Sequence, residues 1–178
     1  MKMLKKLLAI VLTGAMALTL LTACGGNAVN DKNIADALND MAKGSLATYT
    51  FKPRTDEQAM AKAIAALSEK DWNITGGGNN KFSGPVMKIL GLDEGSTNKT
   101  SRFVWCGAVV ADEIGATGQA YHAMNEFLGQ NAANAEKWPN KKPADIRNIG
   151  TALGTLTIQG KQTRVRFIVV TAEAVDKK

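Results

Sequence analysis

The sequence predicts an α+β protein: several amphipathic helices packed on a small antiparallel sheet that includes a C-terminal β-hairpin. Three observations carry this. Apolar residues recur at helical spacing in Ile34, Ala37, Leu38 and Met41, and again in Ala59, Met60, Ala63, Ile64 and Leu67. Ile149 to Ile158 and Arg164 to Val175 are rich in β-branched residues, and Gln159-Gly160-Lys161-Gln162 between them reads as a turn. The chain has 178 residues, a length that suits one domain.

Taken in order, Asp31 to Met41 forms the first helix and Gly44-Ser45 ends it. Thr55-Asp56-Glu57-Gln58 reads as a capping box, with Thr55 capping and Gln58 reaching back, before the second helix. Gly76 to Asn80 is a connector, and Gly84-Pro85 opens a short helix through Leu90. Arg102 to Ile114 is apolar enough to be a buried strand or a buried helix. The pair Asp112-Glu113, on what would be an exposed turn, favours helix after Trp105. Thr117 to Leu128 carries a further amphipathic helix ending at Gly129, and Asn131 to Lys142 is polar and irregular. In the last strand Arg164, Arg166 and Ile168 fall on one face, and Val165, Phe167 and Val169 on the other.

The first residues read as an address. Lys2, Lys5 and Lys6 precede an uncharged apolar stretch of 15 residues, Leu7 to Leu21. That suits a signal peptide and is short for a bilayer-spanning helix of about 20 residues. Leu21-Thr22-Ala23-Cys24 then resembles the lipobox of bacterial lipoprotein precursors. The resemblance implies recognition of Leu21, Thr22 and Ala23 by signal peptidase II and a diacylglyceryl group on Cys24. Residues 1–23 are then a removed signal peptide, 24–30 a lipidated tether and 31–178 one globular domain. It also implies an extracytoplasmic, cell-envelope location with the membrane as a partner through lipid.

Composition excludes several classes. Two cysteines and one histidine cannot build a disulfide scaffold, an all-cysteine zinc site or an iron–sulfur cluster. No cofactor is expected beyond the lipid on Cys24, and no metal. Cys106, in the apolar run Phe103 to Val110, reads as a packed thiol. Cys106 and His122 form the sole thiol–imidazole pair available for nucleophilic catalysis, but no cysteine-peptidase motif surrounds Cys106. The run Gly76 to Gly84 lacks the Lys-Ser/Thr step of a phosphate loop, since Phe82 follows Lys81. Asp93-Glu94 lacks the spacing of a calcium loop. Asp56-Glu57 suits a helix first turn.

Charge is more informative. The formal net charge is +6, of which three charges belong to Lys2, Lys5 and Lys6. The remainder is divided: residues 24–136 carry 10 basic and 13 acidic residues, and residues 137–178 carry 9 basic and 3 acidic. Lys141, Lys142, Arg147, Lys161, Arg164 and Arg166 would form a basic face toward anionic lipid or wall polymer. The competing reading is that such charges keep hairpin edges soluble. Nucleic acid is not expected in an extracytoplasmic compartment, and Phe167 points away from Arg164 and Arg166.

Ala-rich helices, the segment Arg147 to Gly154, a Gly turn and Arg166 to Val170 are similar to the ending of a CAP (SCP-like) domain. That family packs helices around a small antiparallel sheet. Its usual site carries two histidines with acidic partners. This chain has His122 alone, so no site residue carries over, and the resemblance implies a non-enzymatic member. The sequence therefore favours a lipid-anchored binding or interaction module of unknown ligand. The alternative is a CAP-like or other envelope-acting hydrolase.

Overall fold

The computed structural model describes residues 29–72, 82–92, 101–111 and 114–177. The signal peptide, Cys24, the connector 76–80, Asp93-Glu94 and Asp112-Glu113 lie outside the described residues.

The described chain is α+β. Helix α1 (Asp31–Gly44) starts from Asn30, whose side chain accepts from Asn33 N at 3.0 Å while Asn33 Oδ1 accepts from Asn30 N at 3.2 Å. This reciprocal cap satisfies two donors that the first turn would otherwise orphan. Strand β1 (Thr50–Pro53) leads into α2 (Thr55–Ala65). Here the expected capping box is corrected. Arg54 occupies the cap position and Thr55 is already helical. The Gln58 amide instead donates to Asp31 Oδ2 at 3.0 Å, tying α2 to α1. Helix α3 (Gly84–Ile89) opens at Gly84-Pro85 as expected, with Ser83 as its cap.

Strand β2 (Arg102–Val110) corrects the second expectation, since the run is extended throughout rather than helical after Trp105. It pairs with β4 over its whole length, Arg102 opposite Glu173 to Val110 opposite Val165. With both faces covered, such a strand loses the apolar–polar alternation that marks half-exposed strands. Helix α4 (Ala116–Ala123) continues as a wider turn, Met124–Leu128, to Gly129.

Strands β3 (Lys141–Ile158) and β4 (Lys161–Asp176) form the C-terminal hairpin. The turn is tighter than the sequence suggested, two residues long, with Gln159 at φ 52° and Gly160 at φ 77°. Positive φ at both positions matches the right-handed twist of the strands. β3 also begins earlier than expected, at Lys141, and carries an irregularity between Pro143 and Arg147.

The sheet order is β1-β3-β4-β2. The three longer strands are antiparallel, and β1, which has no clear sequence signature, adds in parallel beside β3. Two cores result. On face A, α1 and α4 cover Phe51, Trp105, Ile149, Ile168 and Val170. On face B, α2 and α3 cover Val104, Cys106, Val165, Phe167 and Val169. Burial of each large side chain contributes about 1.5–3 kcal/mol. Two glycines set how closely these layers approach. A Cβ on Gly150 would fall on the α2 backbone at Glu57 and Gln58, and one on Gly107 would fall inside the Phe127 ring. No helix among the described residues is long and apolar enough to cross a membrane.

Candidate binding site

The structure keeps the thiol and the imidazole apart. Cys106 belongs to the face B core, is 1% exposed, and burial pushes its thiol up to about 12. His122 lies on α4, which covers face A, with Nδ1 3.6 Å from Glu126 and the side chain half exposed. A protonated, enclosed thiol and an imidazole across the sheet make no nucleophile–base pair. Among the described residues no group of three or more His, Cys, Asp or Glu could hold a metal ion.

The basic residues are also distributed rather than gathered. Arg166 is 5% exposed, and its guanidinium donates to Gln119 Oε1 at 2.6 Å, Thr151 Oγ1 at 2.9 Å and the Val29 carbonyl at 2.7 Å. Asp31 completes this network, accepting from Thr151 Oγ1 at 2.6 Å and Thr151 N at 3.1 Å. Burial lowers the Arg166 pKa, with Asp31 opposing the shift, so this residue is an internal strut. Arg147 is half buried and stacks on Tyr49 at 3.5 Å and Trp105 at 4.9 Å. Its Nε is buried without a partner, and burial lowers its pKa. Lys141 pairs with Asp176 at 2.8 Å. Register puts Lys142 and Lys161 on face B at opposite ends of the hairpin, and Arg164 on face A with Arg166.

One buried charge escaped the sequence reading. Glu57 is fully buried on face B, where Oε1 accepts from Thr171 Oγ1 at 2.6 Å and lies 3.7 Å from Arg102. Oε2 lies 3.8 Å from Arg54 and has no hydrogen bond. A place in a helix first turn suits Glu57 locally, and nothing local announces that Gly150 draws that turn onto the sheet.

Two hollows remain. The first, about 340 Å³, lies between the starts of α1 and α2, beside Asp31, Arg54 and Gln58. Its polar groups already pair: Asp31 with Thr151 and Gln58, Arg54 with Asp56, and Lys32 with Asp36. The second, about 510 Å³, is different. It runs along Cys106–Val110 at the edge of β2, with Trp72, Leu156, Ile158 and Val165 on the face B side and Glu126 and Phe127 on the other. This volume lies in the range of small-ligand pockets. Val110 and Ile158 are 42% and 41% exposed here; Ile146, Leu153 and Val175 are similarly exposed elsewhere in the strands, but Val110 and Ile158 lie together at the pocket.

The edges of the sheet explain why this place stands out. At β1, the Asn39 amide donates to the Phe51 carbonyl at 3.0 Å and accepts from Phe51 N at 2.6 Å, as a neighbouring strand would. At the start of β2, Asn134 repeats the device: Nδ2 donates to the Arg102 carbonyl at 2.7 Å and Oδ1 accepts from Val104 N at 3.1 Å. Ala133 N adds a bond to the Val104 carbonyl at 2.8 Å. On the outer edge of β3, Asp31 accepts from Thr151 N and Glu69 from Thr157 N, while Leu153 and Thr155 between them have no such cap among the described residues. Alternation directs Cys106, Ala108 and Val110 outward like Val104. The outward backbone groups of these three have no partner among the described residues; Cys106 is enclosed, and Ala108 and Val110 reach the surface. Comparison with family models, with curated proteins and with solved structures finds no match.

Proposed function

We propose that this chain is a lipid-anchored extracytoplasmic protein of a bacterial envelope that acts by binding rather than catalysis. The location rests on Leu21-Thr22-Ala23-Cys24 following a lysine-flanked apolar segment. The binding reading rests on one observation, the 510 Å³ apolar pocket at the open edge of β2. Its lining carries one acidic side chain, Glu126, and a thiol held protonated. A hydrolase would need an activated nucleophile or water at such a place.

The anchor is tested by feeding labelled palmitate to bacteria expressing the full chain. Label is expected on the wild type and not on Cys24→Ala, and globomycin should accumulate an unprocessed precursor. An unlabelled wild-type chain, or no precursor, overturns the lipoprotein assignment.

A further inference from the structure

We infer that the open half of β2 receives an added strand from another polypeptide. The occupant is an extended segment in which apolar residues alternate with basic ones. Its backbone pairs with Ala108–Val110, the part of this edge that reaches the surface, and its apolar side chains enter the adjoining pocket. The inference rests on the binding reading above, not on the lipid anchor.

The backbone argues for a polypeptide. Outward groups of Ala108 and Val110 are spaced by about 6.8 Å, the two-residue repeat of a strand, and the natural complement is a second backbone at the same repeat. A compact apolar molecule would cover these groups without pairing them, which costs free energy for each. Side chains close much of the sheet's other edges, through Asn39, Asn134, Asp31 and Glu69, and the uncapped stretch at Ala108 and Val110 adjoins the pocket. An uncapped edge beside exposed Val110 and Ile158 is the arrangement that such capping ordinarily prevents.

The pocket sets the side-chain pattern. Successive residues of the added strand point to opposite faces. Those on face B meet Trp72, Val165 and Ile158, an apolar surface. Those on face A meet Phe127 and the Glu126 carboxylate, whose side chain is 55% exposed. Glu126 is the charged residue in the lining, so basic residues at this parity complement it.

The test uses the full chain, purified in detergent, and a pool of short peptides alternating Val, Ile or Phe with Lys. Controls are the same pool N-methylated along its backbone, and the neutral dye N-phenyl-1-naphthylamine. Two variants report on the edge. Ala108→Pro removes an outward N–H while leaving the ladder to β4 intact. Val110→Lys sets a charge at an exposed position, and its fold is checked by circular dichroism. The inference predicts that wild type retains the unmethylated pool at least about tenfold better than the methylated one, and that either variant abolishes the difference. Glu126→Gln should weaken retention of Lys-containing peptides more than Thr-containing ones. Equal retention of both pools, or a folded Val110→Lys variant that binds as wild type does, overturns the added strand. Dye binding without peptide binding also overturns it while leaving the binding reading intact. Binding of neither overturns both.

Discussion

The two halves of β2 differ in what meets their outer backbone. Along Arg102–Val104 the Asn134 amide and Ala133 N supply the bonds of a neighbouring strand, held in place by Trp105 Nε1 donating to the Gln130 carbonyl at 2.9 Å. Along Cys106–Val110 the same backbone faces an apolar hollow. One strand thus carries a closed and an open edge, with the same β4 partner behind both. The opening therefore comes from local cover, not from a weak strand.

Removing the cover should cost most where it is most buried. Asn134 is 4% exposed, and Asn134→Ala would remove its bonds to Val104 N and the Arg102 carbonyl. A loss of about 2–3 kcal/mol is expected, read as a lower midpoint in urea unfolding. Ala133 N still holds the Val104 carbonyl in this variant, so binding of the peptide pool should change little. Asn39→Ala removes the equivalent cap from β1, which is shorter and partly exposed. About 1–2 kcal/mol should be lost, with no change in peptide retention. Glu69→Gln, at the exposed hairpin tip where the carboxylate meets Thr157, should change stability by less than about 1 kcal/mol. Val110→Lys should stay within about 0.5 kcal/mol of wild type while abolishing peptide retention, so that stability and binding separate.

The smallest effect at neutral pH concerns Cys106. Its thiol is raised from 9.0 to about 12 by burial, so between those values the folded chain holds a proton that the unfolded chain has released. Stability must therefore fall as pH rises through this window and show no contribution from this group below it. Cys106→Ala should flatten the alkaline slope. Native protein at pH 8 should react with a thiol reagent no faster than it opens, which separates an open backbone edge from an enclosed side chain.

Much of this fold is legible in the sequence, for physical reasons. Ile34 and Leu38 repeat at helical spacing, and the β-branched runs around Gln159-Gly160 announce the hairpin. The Arg102–Val110 strand is not legible, because burial on both faces removes alternation and leaves a run that also suits a helix. β1 spans four residues and owes its state to pairing with β3 and to Asn39, a residue 12 positions away from Phe51. The pocket is less legible still. Trp72, Phe127 and Ile158 come from three separate segments, and Asn134 gives no sign that its amide stands in for a strand. The basic residues mislead for a related reason: Arg166 resembles a surface charge until Asp31, Gln119 and Thr151 enclose it.

Backbone amide hydrogen exchange on the unliganded full chain, resolved by residue, tests the contrast between closed and open edges most directly. Val104 N and Phe51 N are held by asparagine side chains, whereas the amides of Ala108 and Val110 point outward without a partner among the described residues. The account predicts that Val104 and Phe51 exchange at least about tenfold more slowly than Ala108 and Val110, and that the peptide pool slows the latter pair alone. Equal protection across the two halves of β2, or no slowing when peptide is added, would contradict it.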